Sequence, residues 1–341
     1  MEKQAMLLID SLYINTSGGL RLLEYLVHSL ISKNIVFFLL ADARCTGKFD
    51  NCEHVLYMKA SLRKRKHFYH SKKTIFSSVL CFGNIPAPIK MAVPVYTYFH
   101  NINLLTLSEA NSKMEYLLMW IKRQVFRYYK DNTDFWIVQT NNTANELCHH
   151  LRESKERIKI IPFYELSDEL VNLKYQRHGN DYVYVANYYT GSKGHEELLE
   201  AWKILYQEGI NKKLHLTIDN SCHFANTVRL AQSEGVQVVN HGSLPFNKIT
   251  ELYRISKAII YPSHNESFGL GLVEAMEAGC DVIASDLPFV YAICKPSEVF
   301  EPTSPQSIAD AVIRYEEGKS PKSRQIVENK IDEIISIISS S

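Results

Sequence analysis

The sequence predicts an α/β protein of two domains, each built on a parallel sheet. Three observations predict it. The chain has 341 residues, 46% of them hydrophobic, which is long for one core and suits two. Apolar runs alternate with helix-like segments, the rhythm of strands wrapped by crossover helices. That rhythm pauses in the charged stretch between Pro162 and Asp181, then restarts. We therefore expect a first domain at 1–163, a linker at 164–180, a second domain at 181–320 and a terminal helix at 321–341.

In the first half, Ala5–Ile9, Ile35–Leu40, His54–Met58, Ser78–Phe82, Val93–Phe99 and Phe135–Gln139 read as strands. Runs without polar alternation, such as Ile35–Leu40, suit strands buried on both faces. Leu20–Lys33 and Asn111–Tyr129 read as helices. The second has large apolar and basic residues, a stripe that suits a core more often than a membrane edge. In the second half the strands are Tyr182–Ala186, Leu214–Asp219, Gln237–Asn240, Ala258–Tyr261 and Asp281–Ala284. Helices fall at His195–Glu208, Phe224–Glu234, Pro245–Ser256 and Leu270–Ala278. The tail Lys322–Ser340 has isoleucines at helical spacing. Two such domains predict a ligand cleft outside the carboxyl ends of the strands.

Composition excludes several classes. No apolar run approaches the roughly 18 residues that span a bilayer. The first ten residues read as a strand rather than a signal peptide. Seven cysteines without a Cys-x-x-Cys pair argue against a disulfide frame or a zinc site and suit the cytoplasm. A net charge of +1 gives no nucleic-acid signature. The exception is Arg63–Lys73, a basic segment with Phe68 and Tyr69 inside it. Such a segment is commonly a solvated face. Its functional reading is contact with an anionic membrane surface or with a diphosphate-linked acceptor.

The chemistry concentrates after the strand Ala258–Tyr261. Asn265-Glu266-Ser267-Phe268-Gly269-Leu270-Gly271-Leu272-Val273-Glu274 runs from a Gly-bearing loop into a helix. Free N–H groups at such a helix start suit an anion, here a diphosphate. Glu266 and Glu274 would repel phosphate but accept hydrogen bonds from sugar hydroxyls. A lone Glu here would merely complement the helix dipole; the full string asks for more. Gly279 is placed to cap the helix.

This string resembles the Glu-x7-Glu motif of the family-4 retaining glycosyltransferases, and its order and spacing extend over about residues 180–312. The resemblance implies the GT-B fold, with two Rossmann-like, doubly wound domains facing across a cleft. It implies that Glu274 holds the donor ribose, that Glu266 lies beside the donor sugar, and that Ser267, Phe268, Gly269 and Leu270 meet the diphosphate. It implies that Lys193 binds the leaving diphosphate. The family's usual Arg six positions earlier is Asn187 here, a departure from the two-cation clamp. Gly18 and Gly19, after the first strand, match a loop facing the diphosphate. His100, at the end of Val93–Phe99, matches a His near the transferred sugar. The turn His241–Leu244 matches a base-contacting loop through Leu244.

The reading is a retaining glycosyltransferase using a UDP- or GDP-sugar, acting on a glycan or lipid-linked glycan acceptor in surface polysaccharide assembly. It would be cytoplasmic or peripheral on the inner membrane face. No Asp-x-Asp occurs, so no metal and no further cofactor is expected. The alternatives are a GT-B sugar-nucleotide epimerase and a non-catalytic sugar-nucleotide-binding subunit.

Overall fold

The computed structural model describes residues 6–15, 17–106, 113–165, 179–188 and 192–340. The chain divides into two compact units. One is Met1–Glu165 with Glu328–Ser341, and the other is Leu166–Val327.

The first unit is a seven-stranded sheet. Its strands are β1 (Met6–Asp10), β2 (Phe37–Asp42), β3 (Val55–Met58), β4 (Phe76–Cys81), β5 (Val95–Tyr98), β6 (Phe135–Val138) and β7 (Ile158–Ile160). All pairings are parallel, in the order β3-β2-β1-β4-β5-β6-β7. The order reverses between β1 and β4, so the loops after these two strands diverge and leave a crevice. The helices are α1 (Ser17–Ser32), α2 (Leu62–Lys72), α3 (Asn103–Thr106), α4 (Lys113–Tyr129) and α5 (Asn141–Leu151). Residues 111 and 112 of the expected Asn111–Tyr129 helix lie outside the described residues.

The structure corrects two expectations here. The basic segment is the helix α2, and it is not a uniform surface face: Arg65 is only 2% exposed, with Phe68 and Tyr69 buried beside it. Four consecutive cations cannot share one face of a 3.6-residue helix. The other correction concerns α4. Its apolar residues are largely outside the core: Met114 is 66% exposed, and Leu117 and Leu118 are each 49% exposed. Among the described residues of that helix, Phe126 alone is deeply buried.

The second unit has a six-stranded parallel sheet. Its strands are β8 (Asp181–Tyr184), β9 (Leu214–Leu216), β10 (Val238–Asn240), β11 (Ser256–Tyr261), β12 (Asp281–Ser285) and β14 (Glu298–Phe300). A short antiparallel pair joins β13 (Cys294–Lys295) to β15 (Arg324–Gln325). The main order is β10-β9-β8-β11-β12-β14, with the reversal between β8 and β11. The helices are α6 (His195–Gln207), α7 (Phe224–Ser233), α8 (Phe246–Ile255), α9 (Leu270–Glu277), α10 (Pro288–Ile293) and α11 (Pro305–Glu316). Gly279 adopts φ +83° and closes α9 with bonds from its N–H to Met276 and from Cys280 N–H to Ala275, the Schellman pattern.

The terminal helix, α12 (Ile331–Ser339), is shorter than the isoleucine spacing suggests, because Ile326 lies beyond its start in an exposed stretch. It belongs to the first unit. Ile334, Ile335 and Ile338 are buried there, and Ser78 donates to the Ile338 carbonyl at 2.6 Å. Lys330 N–H donates to the Pro162 carbonyl, fixing the approach. Each such isoleucine contributes about 1.5–3 kcal/mol by burial. Among the described residues no helix is long and apolar enough to cross a membrane.

Candidate active site

In the second unit the loops after β8 and β11 meet at the reversal of strand order. Lys193 leaves the first and Glu266 the second, and their side chains form an ion pair of 2.6 Å. The loops are stitched by backbone. His264 N–H donates to the Ser192 carbonyl at 3.0 Å, and Tyr184 OH donates to the Lys193 carbonyl at 2.9 Å. Gly194 explains the Lys-Gly pair. It sits at φ +65°, and a Cβ there would lie 2.3 Å from the Pro262 carbonyl oxygen. Only glycine admits that approach.

Glu266 is oriented by three donors on one oxygen. Lys193 Nζ, Ser263 Oγ at 2.9 Å and Tyr261 OH at 3.0 Å all reach Oε1. Burial, followed by the Glu266 charge, raises the Tyr261 pKa well above its usual range, so Tyr261 stays a neutral donor. Tyr184 is raised by the same causes. The string Tyr-Pro-Ser before the motif supplies these partners, a signal that the sequence carried without its role being read.

Gly269 caps α9 at φ +90°, and Phe268 is buried while Ser267 and Leu270 are half-buried. At Gly271 a Cβ would stand 3.4 Å from the Tyr261 ring, an ordinary contact. Glu274 is 5% exposed, with Oε2 3.4 Å from Tyr253 OH. The two carboxylates thus have different supports. Asn187 is exposed and Leu244 half-buried; neither joins the bonds that hold Lys193 and Glu266. His195, just after Lys193-Gly194, is buried, and desolvation pushes its pKa down to about 3.

In the first unit the loops after β1 and β4 meet in the same way. A Cβ on Gly83 would lie 2.2 Å from the Leu12 carbonyl oxygen, so glycine is required. Next to it Tyr13 (φ +85°) and Asn84 (φ +65°) occupy the left-handed region, strain that tends to gather at binding sites. Asn84 Oδ1 accepts from His100 N–H at 2.8 Å, and its Nδ2 lies 3.3 Å from Nε2 of that ring. Burial pushes the His100 pKa down to about 4, so the ring is neutral near pH 7. Gly19 and His100 are neighbours: a Cβ on Gly19 would stand 3.1 Å from His100 Nε2. Gly18 is open, with nothing within 4 Å. Sequence reasoning missed Asn84, although Gly83-Asn84 after β4 is a turn signal.

Two doubly wound parallel units, each with polar loops gathered at a reversal of strand order, define the GT-B class of fold. Residues 173–333 match the family described as Glycosyl transferases group 1. The chain is 30% identical over 145 residues to the serotype-specific mannosyltransferase WbdA of Escherichia coli, covering 39% of this chain. It spans only 17% of that relative's length. It is 21% identical to the capsular polysaccharide biosynthesis glycosyltransferase CapM of Staphylococcus aureus, covering 80% of this chain and 78% of CapM. Among solved structures it shares its fold with Anabaena HepE, in complex with UDP and glucose. The TM-score is 0.66 at 16% identity, covering 99% and 97% of the two chains.

Proposed function

We propose that this protein is a retaining glycosyltransferase that moves a sugar from a UDP- or GDP-sugar to an acceptor hydroxyl, in surface polysaccharide or lipid-linked glycan assembly. The observation that carries the reading is the Lys193–Glu266 pair at the β8/β11 reversal, beside the Gly269 start of α9. It puts a cation, a carboxylate and the N-terminus of a helix together. Lys193 and the N–H groups of Phe268–Leu270 would stabilise charge growing on the leaving diphosphate. Because the three bonds on Glu266 converge on Oε1, Oε2 would accept from a donor-sugar hydroxyl. Glu274 would hold the ribose, Leu244 would meet the base, and Gly18, Gly19 and His100 would complete the donor and acceptor side. Asn187 would contribute no charge. Transfer would proceed by attack from the face that the diphosphate leaves, with its oxygen taking the acceptor proton. No metal is then needed.

Incubating the protein with UDP- and GDP-sugars, in excess EDTA, tests the reading. Slow donor hydrolysis that Lys193→Ala abolishes supports it. Full dependence on Mn²⁺ would overturn the metal-free mechanism, and no turnover with any donor would favour a binding subunit.

A further inference from the structure

We propose that Asn84 is a positioning residue: it fixes the proton of His100 on Nδ1, so that His100 Nε2 accepts from a donor-sugar hydroxyl while the Asn84 amide donates to the same oxygen. The orientation of the amide is the first step. Asn84 Oδ1 accepts from the His100 backbone N–H at 2.8 Å. A backbone N–H can only donate, so the amide oxygen must face it and the NH₂ must face the ring. That NH₂ lies 3.3 Å from His100 Nε2. Two N–H groups cannot share such a contact. Nε2 therefore carries the lone pair, and the neutral ring holds its proton on Nδ1. Flipping the amide would set its NH₂ against the backbone N–H, so the same rule excludes it.

The surroundings hold both groups in place. Asn84 is buried, and its φ of +65° lies in a region that Asn tolerates better than most residues. The His100 ring centroid is 5.1 Å from that of Tyr98 and 5.8 Å from that of Phe82. Burial raises the Tyr98 pKa well above its usual value, so this neighbour is neutral. Burial also lowers the His100 pKa, and among the described residues no charged group contributes. Nδ1 is buried and has no hydrogen-bond partner among the described residues, which leaves Nε2 as the atom a ligand can meet. The Asn84 contact to Nε2 is at the long end for a hydrogen bond, so it yields readily to a better donor. Gly19, at the start of α1, keeps the far side of Nε2 clear, since a Cβ there would stand 3.1 Å away. Asn84 also lines a cavity of about 470 Å³ at the β1/β4 reversal, with Tyr13, Arg44 and Lys122. A hydroxyl both donates and accepts, so it fits between a lone pair and an NH₂. An ionised phosphate oxygen only accepts, and Nε2 offers it nothing. The pair thus reads the sugar and leaves the diphosphate charge to other groups. Naming a sugar hydroxyl rests on the glycosyltransferase reading; the tautomer does not.

The test is nitrogen NMR of the imidazole rings in the full chain, with His100→Gln identifying the signal. In the wild type near neutral pH we expect the proton on Nδ1. Asn84→Asp keeps an oxygen for the backbone N–H but sets a second one against Nε2, and should draw the proton there. Asn84→Gly keeps the left-handed backbone without the amide, and should let the Nε2–H form appear. Alongside, hydrolysis of a panel of UDP- and GDP-sugars should fall at least tenfold in Asn84→Asp, while calorimetry finds its affinity for UDP and GDP unchanged. A purely structural role for Asn84 would not move the tautomer. The proposal is overturned if the wild-type ring carries its proton on Nε2, or if neither variant changes the tautomer. It is also overturned if nucleotide affinity falls as far as turnover. No hydrolysis of any sugar nucleotide by the wild type would remove the glycosyltransferase reading and the sugar hydroxyl with it, whereas the NMR decides the tautomer without turnover.

Discussion

Arg65 and Asp10 form an ion pair of 2.6 Å with both side chains at most 2% exposed. The guanidinium also donates to the Pro86 carbonyl at 2.8 Å and the Ile85 carbonyl at 2.9 Å. Tyr69 OH donates to the same Asp10 oxygen at 2.7 Å. One arginine of α2 thus ties the end of β1 to the loop after β4, the two segments that shape the first unit's crevice. Coulombic attraction in a dry interior offsets the desolvation of both charges only while every donor is used. Desolvation opposes the charge on Arg65, yet the nearby Asp10 carboxylate holds its pKa above the usual arginine value.

Removing that arginine should therefore be costly. Arg65→Leu leaves Asp10 buried and unpaired, and we expect a loss of about 3–5 kcal/mol. Arg65→Lys should recover only part, because an ammonium cannot span the carboxylate and two carbonyls as a fork does. Arg63→Ala, Lys64→Ala and Lys66→Ala, all exposed, should stay within about 0.5 kcal/mol. Urea unfolding of the five variants decides it, and equal midpoints throughout would show that the pair contributes nothing.

The Lys193–Glu266 contact predicts coupled kinetics. Lys193→Ala should lower turnover by about 10²–10³, the loss typical of one preorganised donor. Glu266→Gln should lower turnover more than donor affinity, and the double variant should lose less than the sum, since the two side chains touch. Additive losses would mean they act independently. Glu274→Gln should instead weaken nucleotide binding by about 1.5–3 kcal/mol, read by calorimetry; unchanged affinity would remove Glu274 from the ribose.

Glycines near the crevice should differ sharply. Gly83→Ala puts a Cβ 2.2 Å from the Leu12 carbonyl oxygen, so backbone must shift and stability should fall by a few kcal/mol, beyond the ordinary range of surface changes. Gly18→Ala meets open space, and a residue inside α1 gains about 0.5–1 kcal/mol from alanine. Gly19→Ala should be nearly neutral in stability yet alter the His100 chemical shifts, because its Cβ would press on Nε2. Thermal melts and NMR of the three variants test the ranking.

The alternation of apolar runs made both sheets legible, because strands such as Phe37–Asp42 are buried on nearly every residue and need no polar partner pattern. The Gly-bearing loop into α9 was legible because Gly269 and Gly279 both sit at positive φ, where sequence choice is narrow. What stayed hidden depends on tertiary partners. Ile158–Ile160 is too short a strand to show a period. α2 carries five cations among eleven residues, so no apolar stripe announces that Arg65 turns inward. The Tyr261 and Ser263 bonds to Glu266 depend on loop closure, which spacing alone does not encode. The first unit's cavity has no motif of its own: Tyr13, Arg44, Asn84 and Lys122 come from four separated segments.

Acid should expose the histidine beneath the site. His195 is 1% exposed, and desolvation first, with Lys193 nearby as a smaller contributor, lowers its pKa from 6.5 to about 3. The folded state therefore binds this proton less readily than the unfolded chain. Its contribution to stability is complete above pH 6.5 and is lost progressively as pH falls from there toward 3. Each pH unit in that window costs at most about 1.4 kcal/mol for one group, so roughly 2 kcal/mol separates pH 6.5 from pH 5. His100, lowered to about 4 by burial, adds a loss of the same sign and similar size across this window. Most carboxylates still hold their charge at pH 5, so the window from 6.5 to 5 isolates the histidines. Urea midpoints followed by circular dichroism should drop across that window in the wild type. His195→Gln, which cannot take up the proton, should make the drop measurably shallower. A variant whose midpoint falls as steeply as the wild type would show that His195 is not the group being charged.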